Sequence, residues 1–463
     1  MSSFTRILYN PIMNNRFYLI ICALFASLLA VAQPSKKELS ALLGDDLLTY
    51  SDASLVVYDL TADSLLFSHR AHKLTRPASV LKIITSVAAL ERLGDDYTID
   101  TYLLRQGNSL YFKGAIDPLF SFDDLCGMLQ SVSGDAVVDT LFADCSFMDS
   151  IYWGPGWAWD DTPWEFQPYI SPLMLCGGCV EVTAKPAVRG AAPMVECYPP
   201  SAFYSIENEA VSRGGTGEKF TILRDWLCGT NVIRLRGDCT AAKSEKMNMY
   251  PSQDYFIAVA AEQLAARGVV VKNVADGVAP YLCDTLAVVR RAVGDVVSEA
   301  LMESNNLCAE AMSYHLGALY GRLPVRQAMG PKIVKGFLEY ALDMPQWYDV
   351  CDGSGLSPYT LVSADIIMQV LRYAHSHPHI YEKILCGLPQ AGVSGTMKHR
   401  AKGTAAYKKV FAKTGTVTGV CTLAGYAVAS NGHNLAFVIL NEGSPKARPV
   451  RVWQDKVCEV LCK

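Results

Sequence analysis

The chain has 463 residues, of which 51% are hydrophobic and 19% are charged, so it is long enough for two or three domains with a large apolar core. Its formal net charge of −4 gives no basis for a nucleic-acid partner. No low-complexity tract or internal repeat is visible in the sequence.

The N-terminal residues have the pattern of an export signal. Arg6 and Arg16 precede an apolar run, Phe17 to Ala32, which ends in a small-x-small cleavage pattern before Gln33. The run is short for a membrane span, and an uncleaved anchor is the alternative. We therefore predict a cleaved signal peptide at residues 1–32 and a periplasmic mature protein that is peripheral to the membrane at most.

Between the export signal and residue 98 the sequence predicts a helix, a hairpin and a second helix. The first helix begins at a capping-box pattern that opens with Ser35. The hairpin strands are Ser54–Leu60 and Ser64–His69. The second helix begins after Pro77, whose fixed φ suits a helix start, and ends near Gly94.

The middle of the chain, from about Ile99 to Tyr281, has a different character. Helical periodicity is scarce there, and short β-like runs, glycine, proline and aromatic residues are common. The tryptophan-rich stretch Gly154 to Pro172 is either an aromatic platform for a carbohydrate or peptide, or an irregular loop packed by its own rings. We predict a β-rich inserted segment in this region.

After the middle region helical signals return, followed by a β-meander with a hairpin turn at Asn431-Gly432. The segments with helical character are Val296–Leu316, Val325–Leu342, Ser363–His375 and Pro449–Cys462. A glycine-marked loop, Asp352–Leu361, precedes the third of them. These elements need those before residue 95 to complete one α+β unit. The predicted organisation is a catalytic domain in two parts, 33–98 and 282–463, interrupted by an inserted β-rich segment, 99–281.

The cysteines and histidines do not form a recognisable metal motif. Cys176 and Cys179 form the one close cysteine pair, and no second Cys or His pair stands at metal spacing, so a structural disulfide or two buried thiols is expected. We interpret the cluster of His375, His377 and His379 as a solvated helix end. No metal and no organic cofactor are implied.

The residues with the clearest chemistry are Ser79 and Lys82, which lie at i and i+3 in the first turn of the predicted second helix. Burial of the lysine stem would lower its pKa until the amine can act as a base, and a base beside a serine makes an activated nucleophile. Alone, the Ser-x-x-Lys pattern is common in ordinary surface helices.

Two later patterns occur in an order that makes a chance match improbable. Residues 304–306 (Ser-Asn-Asn) open a helix-like segment, and residues 413–416 (Lys-Thr-Gly-Thr) lie in the β-rich run. Separately, they could be a helix cap and an exposed strand lysine. Together with Ser79 and Lys82 they form the ordered trio of a serine acyl-transfer enzyme.

Each motif residue then has a predicted role. Ser79 attacks a carbonyl and Lys82 takes its proton. Ser304 passes the proton to the leaving amine, and Asn306 binds the substrate amide and orients Lys82. The residues we assign to substrate binding from these motifs are Lys413, Thr414, Gly415 and Thr416.

Within the 413–416 motif, Lys413 supplies a permanent positive charge for a substrate carboxylate. Gly415 lies on the same strand face and leaves room for substrate. The backbone N–H groups of Ser79 and Thr416 form the oxyanion hole.

On these motifs the sequence resembles the D-alanyl-D-alanine carboxypeptidase/endopeptidases, the low-molecular-mass class C penicillin-binding proteins. The resemblance covers nearly the whole mature chain and includes SNNLCAEAM, DGSGLS, AGVSGTMKHR and FAKTGTVTG. It implies an α+β, penicillin-binding-protein/β-lactamase-like transpeptidase domain, an antiparallel sheet with helices. It also implies cleavage of D-alanyl-D-alanine and of D-alanyl cross-links in peptidoglycan stem peptides, with β-lactams as covalent inhibitors.

The sequence departs from this family at two places. The family's Gly-Asp-Pro segment reads GAIDPLF here, from Gly114 to Phe120. The family often has a polar pair before the tryptophan stretch, with an acid that helps to read the amino group of the stem peptide. This position reads Asp144-Cys145-Ser146 here, so the resemblance makes Asp144 the candidate for a substrate-binding role. The alternatives are a β-lactamase or esterase with the same nucleophile, and a non-catalytic peptidoglycan-binding scaffold. Assembly into a homo-oligomer is left open.

Overall fold

The computed structural model describes residues 35–215, 217–344 and 347–463. The predicted signal peptide, residues 1–32, lies outside these residues. Within them, no helix is both long enough and apolar enough to cross a membrane.

The described residues form α-helices and β-strands, which are numbered in chain order. The α-helices are α1 (Lys36–Leu42), α2 (Leu47–Tyr50), α3 (Leu81–Leu93), α4 (Phe122–Leu129), α5 (Ser252–Ala266), α6 (Val293–Met302), α7 (Asn306–Ala318), α8 (Met329–Ala341), α9 (Ala364–Ser376), α10 (Pro378–Gly387) and α11 (Ala447–Cys462). The β-strands are β1 (Asp52–Asp59), β2 (Ser64–His69), β3 (Thr98–Gln106), β4 (Ser109–Lys113), β5 (Val137–Asp144), β6 (Cys179–Lys185), β7 (Met194–Tyr198), β8 (Ser205–Asn208), β9 (Val211–Ser212), β10 (Thr221–Arg224), β11 (Val232–Arg236), β12 (Asp238–Cys239), β13 (Lys243–Asn248), β14 (Val270–Asp276), β15 (Asp284–Ala292), β16 (Val410–Val417), β17 (Val420–Val428) and β18 (Asn434–Glu442).

The two ends of the chain meet in one five-stranded sheet of order β16-β17-β18-β1-β2. Its neighbouring strands are all antiparallel, with Asp52 of β1 opposite Glu442 of β18. Gly432, in the turn that joins β17 to β18, has a φ of +82°, which suits the predicted hairpin. The predicted α+β fold built on an antiparallel sheet is confirmed.

Both faces of this sheet are covered, which explains its continuously apolar strands. Val56 and Val438 face one core, which includes α3 and α7. Leu55 and Ile439 face the other core, which includes Trp453 of α11. Because successive side chains in a strand point to opposite faces, β17 and β18 are apolar along almost their whole length.

Helix α3 lies in the centre of the first core. Its residues from Leu81 to Leu90 are all buried, and it contacts α6, α7 and α9. Gly94 ends the helix with a φ of +85°, as predicted. A short 3-10 turn, Ala78–Val80, precedes the helix, so the α-helix itself begins at Leu81 rather than directly after Pro77.

The predicted helical segment Val296–Leu316 is two helices, α6 and α7, separated by a break at Ser304. Ser304 has a φ of +65°, a conformation that is costly for a residue with a side chain. Asn305 then caps α7 by accepting a hydrogen bond from the Cys308 N–H at 3.2 Å. The break turns Ser304 out of the helix line.

The middle of the chain has its own apolar core and a second five-stranded sheet, of order β14-β5-β4-β3-β15. This sheet is mixed, because β5 pairs in parallel with both β4 and β14. Strand β15, residues 284–292, pairs with β3, so the sheet extends past the predicted boundary at residue 281. The division into domains stays a prediction, and this pairing favours a boundary after Ala292.

The expectation that helices are scarce in this middle region was wrong for α4 and α5. Helix α4 has a capping box at Ser121, which the sequence analysis missed. In α5 the buried residues Tyr255, Phe256, Val259 and Ala260 have helical spacing, but alanines such as Ala258 occupy less buried positions, so the sequence shows little contrast between the faces of the helix.

In the described part of the chain, no three His, Cys, Asp or Glu side chains are grouped so that they could hold a metal ion. Cys176 and Cys179 are free thiols. His375 lies in the last turn of α9, and Pro378 begins α10, a helix that the sequence analysis did not predict.

Candidate active site

Ser79 lies on the 3-10 turn between Pro77 and α3, and this turn is pressed against the edge of the main sheet. The Thr422 hydroxyl donates a hydrogen bond to the Pro77 carbonyl at 2.7 Å. Ala78 has a φ of +47°, a strained conformation for alanine. The turn is therefore held in place by its packing and not by local preference.

Lys82 is fully buried one turn after Ser79, and its amine has three partners. Lys82 Nζ lies 2.9 Å from Ser79 Oγ, 2.6 Å from Asn306 Oδ1 and 2.9 Å from the Ser354 carbonyl oxygen. A neutral amine has two N–H donors and one lone pair. If the two donors bind Asn306 and Ser354, the lone pair faces the hydroxyl proton of Ser79.

The electrostatic setting of Lys82 favours its neutral form. Burial lowers its pKa from 10.5 to about 8, although the nearby carboxyl groups of Asp352 and Glu310 oppose the shift. A pKa near the working pH is the range in which a side chain can both accept and return a proton.

Asn306 links the first turn of α7 to Lys82. Its Oδ1 accepts from Lys82, and its Nδ2 donates to the Phe166 carbonyl at 2.5 Å. The predicted contact with the base is therefore present, whereas the amide N–H₂ is occupied by the inserted segment. The contact with Phe166 fixes the amide orientation.

Lys413 of β16 is fully buried, and it lies close enough to Lys82 for the charge of Lys82 to affect its pKa. Burial, assisted by the charge of Lys82, lowers the pKa of Lys413 well below 10.5. Its Nζ donates to the Thr414 carbonyl at 2.9 Å. The positive charge of Lys413 stays a prediction, and a bound anion would favour this charge against the effect of burial.

Gly415 lies against the turn that carries Ser79, and not against free space for substrate as the sequence analysis had it. A Cβ at position 415 would come within 2.2 Å of Thr422 Oγ1 and 3.0 Å of both the Ser79 nitrogen and the Pro77 oxygen. Only glycine allows β16 to approach the turn this closely.

Thr414 and Thr416 lie on the other face of β16, which is an edge strand of the main sheet. The Thr414 hydroxyl donates to Thr396, so this side chain is turned away from Ser79. The Ala412 N–H points away from β17 and donates a hydrogen bond to the Pro389 carbonyl oxygen at 3.0 Å. Because the register with β17 is unbroken, the Thr416 N–H points to the same open side.

Ser79 opens onto a cavity of about 530 Å³, which we call the catalytic cleft. It lies between the main sheet and the inserted segment. Residues that line it from both sides include Arg76, Ser79, Asp160, Asp161, Ser304 and Thr416. Ser304 therefore lines the same cleft as the candidate nucleophile.

Asp144 is not brought to this cleft. Its side chain is fully buried at the end of β5, where the carboxylate accepts hydrogen bonds from the Ser146 and Ala279 N–H groups at 3.0 and 2.9 Å. Both oxygens are occupied by backbone donors, so the predicted role in reading a substrate amino group is not supported. Asp160 and Asp161 are the acids of the inserted segment that line the cleft.

Two buried acids that the sequence analysis did not single out hold the loop behind Lys82. Glu310 accepts from the Gly353 and Ser354 N–H groups at 3.1 and 2.9 Å. Asp352 accepts from the Gly355 N–H at 3.0 Å. These bonds aim the Ser354 carbonyl at Lys82. Glu310 stands four residues after Asn306, a helical spacing that could have indicated a shared face.

The chain belongs to the D-Ala-D-Ala carboxypeptidase 3 (S13) family, whose model matches residues 35–458. This membership confirms the predicted resemblance. It also confirms the predicted kind of enzyme, a serine D-Ala-D-Ala carboxypeptidase of the penicillin-binding-protein type.

Individual relatives extend over most of the chain. A D-alanyl-D-alanine carboxypeptidase of Actinomadura sp. is 30% identical over 459 residues, covering 92% of this chain and 84% of the relative. The D-alanyl-D-alanine carboxypeptidase DacB of Haemophilus influenzae is 24% identical over 416 residues, covering 84% and 85%. The crystal structure of penicillin binding protein 4 from Haemophilus influenzae matches with a TM-score of 0.78 at 20% identity, covering 92% of this chain and 99% of that one, so the two share a fold.

Proposed function

We propose that the enzyme hydrolyses D-alanyl-D-alanine termini and D-alanyl cross-links of peptidoglycan stem peptides through an acyl-enzyme on Ser79. The single observation that carries this proposal is the placement of Lys82 Nζ at 2.9 Å from Ser79 Oγ, with its other two partners fixed. That geometry prepares a neutral lysine to receive the serine proton.

In the proposed first step Ser79 Oγ attacks the carbonyl carbon of the penultimate D-alanine while its proton moves to Lys82. The oxyanion accepts hydrogen bonds from the N–H groups of Ser79 and Thr416; loss of one such donor typically costs about 3 kcal/mol of transition-state stabilisation. The C–N bond then breaks, and the leaving amine takes a proton from Lys82 by way of Ser304. Water attacks the ester in the second step and releases the shortened peptide.

Carboxylate recognition falls to Lys413 in this proposal. A substrate carboxylate would raise the depressed pKa of Lys413 and so stabilise its charged form. The arrangement would recognise a substrate carboxylate without an exposed cation. Cleavage of cross-links uses the same attack, with a longer leaving amine.

Acylation by β-lactams follows from the same chemistry, because a strained lactam carbonyl presents its carbon to Ser79 as a peptide does. One solved structure of the Haemophilus influenzae protein is described as complexed with a novel β-lactam. The rival assignments are a β-lactamase, which would hydrolyse the drug repeatedly, and a non-catalytic scaffold, which would not react with it.

Export to the periplasm through residues 1–32 belongs to this proposal, because peptidoglycan lies outside the cytoplasm. The signal pattern of the sequence supports it. Peripheral attachment to the membrane and homo-oligomer formation stay predictions.

The test is release of D-alanine from a short peptide that ends in D-Ala-D-Ala, together with cleavage of a cross-linked muropeptide. We expect both activities in the purified protein and neither in Ser79→Ala. Ser68→Ala, which alters an exposed serine on β2 at the opposite edge of the main sheet, is the matched control. Release of D-alanine by Ser79→Ala at the unaltered rate would overturn the assignment.

A further inference from the structure

A second cavity, of about 510 Å³, lies in the inserted segment and has a different lining from the catalytic cleft. We call it the aromatic cleft. Its walls include Trp153, Trp159, Trp226 and Tyr250, and Arg224 is the single charged residue that lines it in the described part of the chain. None of these described lining residues carries a carboxylate, so the lining combines apolar faces with a few polar groups.

Four of the aromatic rings lie in two pairs, one tilted and one nearly parallel. Trp159 and Trp226 have ring centroids 5.3 Å apart at 44°, and Trp153 and Tyr250 are 6.5 Å apart at 15°. Trp159 is 70% exposed. An aromatic ring left in water forfeits its burial energy, so several together indicate a recognition surface. Flat apolar faces of this kind match the C–H faces of pyranose rings.

Beneath the rings lies a polar floor. Asn248 and Arg224 are both 3% exposed, and Arg224 Nη2 donates to Asn248 Oδ1 at 2.9 Å. Arg224 Nε has no hydrogen-bond partner among the described residues, although it is buried. An unpaired buried donor typically costs about 1–3 kcal/mol, which an acceptor oxygen of a ligand could recover after a small shift. Hydroxyl and amide oxygens of an N-acetylated sugar supply such acceptors.

The aromatic cleft shares a wall with the catalytic cleft. Along residues 156–162, Trp157 and Trp159 line the aromatic cleft, whereas Ala158 and Asp160 line the catalytic cleft. Trp157 Nε1 also donates to Asp352 Oδ2 at 3.0 Å, which ties this wall to the loop behind Lys82. A ligand that occupies both clefts must carry a saccharide and a peptide in one molecule.

We propose that the aromatic cleft binds an N-acetylated pyranose ring of the glycan strand that carries the stem peptide. The identity of the strand rests on the proposed function; the saccharide chemistry rests on the rings and the polar floor. Binding there would favour substrate attached to glycan over free peptide.

In the binding test the tetramer of β-1,4-linked N-acetylglucosamine is titrated into Ser79→Ala protein. Tryptophan fluorescence and calorimetry measure the binding. We expect saturable binding that the double variant Trp159→Ala/Trp226→Ala weakens at least tenfold. Trp347→Ala is the matched control, because Trp347 is 84% exposed and lies outside the cleft. The glucose tetramer, which lacks the N-acetyl groups, should bind more weakly.

A second measurement separates this proposal from the proposed function. The double variant should release D-alanine from a short free peptide at the unaltered rate, which also shows that it is folded, and should lose several-fold in rate on intact peptidoglycan. If the wild-type protein releases no D-alanine from either substrate, the proposed function fails while the binding test still stands. If the tetramer does not bind, or if a saccharide-free stem peptide binds through the same tryptophans, the aromatic cleft is not a sugar site.

Discussion

The catalytic cleft and the aromatic cleft use the same wall, residues 156–162, but are built in opposite ways. Around Lys82 the polar groups are buried and joined by hydrogen bonds to distant parts of the chain. In the aromatic cleft the rings of Trp159 and Trp226 stand partly in water, above a floor with an unpaired donor. The first arrangement fixes reacting atoms in advance, and the second provides a surface for a ligand to cover. Changes in the first should therefore affect chemistry, and changes in the second only capture of substrate.

The largest effect should follow Lys82→Met, which removes the base but keeps an unbranched side chain of similar length. We expect kcat to fall by about a thousandfold, within the range typical of a lost general base. Thermal stability should fall, because Asn306 Oδ1 and the Ser354 carbonyl oxygen lose a buried hydrogen-bond donor. Steady-state kinetics and a melting curve measure the two effects.

Lys272→Met, at an exposed position on β14, serves as the control for Lys82→Met. A Lys82→Met enzyme within tenfold of wild-type activity would show that another group is the base.

The next largest effect should follow Gly415→Ala. The added Cβ would collide with Thr422 Oγ1 and crowd the Ser79 nitrogen, so the nucleophile turn must shift. We expect kcat/KM to fall about a hundredfold, since a misplacement of about 1 Å can cost that much. Saccharide binding in the aromatic cleft should be unaffected.

Gly127→Ala is the matched control for this substitution, because a Cβ at position 127 in α4 meets nothing within 4 Å. It should leave activity unchanged and raise stability slightly. Equal activities for the two alanine variants would mean that β16 does not position the turn.

The pH dependence should also separate the two clefts. Lys82 must be neutral to accept a proton, and its pKa is lowered to about 8 by burial. Hence kcat/KM should rise about tenfold per pH unit between pH 5.5 and 7.5 and level off above about pH 8.

Saccharide binding should not change between pH 6 and 9, because burial leaves the pKa of Arg224 at about 10, above this range. Rate profiles and binding isotherms at the same pH values make the comparison. A kcat/KM that is flat over pH 5.5 to 8 would contradict a neutral Lys82 as the base.

The smallest effect on rate should follow Glu310→Gln. Glu310 accepts hydrogen bonds from the Gly353 and Ser354 N–H groups, and a glutamine amide supplies one oxygen where the carboxyl group had two. We expect a loss of about 1–3 kcal/mol in the free energy of unfolding and a several-fold drop in kcat as the Ser354 carbonyl moves. Chemical denaturation measures the first quantity, and Glu339→Gln on α8 is the control. An unchanged midpoint would show that the loop is held by Asp352 alone.

The features that could be predicted from the sequence are those that depend on the spacing of residues close together in the chain. Ser79 and Lys82 are three residues apart, so their proximity follows from helix geometry, and the ordered motifs predicted that Asn306 would join them. The buried residues of α5 also have helical spacing, but alanines at its less buried positions reduce the contrast between its faces, and its helix was missed. Local patterns reveal partners only when those partners are close in sequence.

The remaining features depend on register and on long-range contacts. Gly415 was assigned to substrate because its contact with the turn at Ser79 needs the strand pairing of β16. Asp144 was assigned to substrate because one of its two backbone donors, the Ala279 N–H, lies 135 residues further along the chain. Glu310 was not singled out because its partners lie more than forty residues away.

The measurement that tests the account most directly is intact-mass analysis of the purified protein after exposure to benzylpenicillin, followed by peptide mapping. We predict one added penicilloyl group per chain, on Ser79, with no adduct in Ser79→Ala and with slow loss of the label in wild type. An adduct on another residue, or penicillin left unreacted, would contradict Ser79 as the nucleophile. Rapid consumption of penicillin without a lasting adduct would contradict the peptidase assignment and favour a β-lactamase.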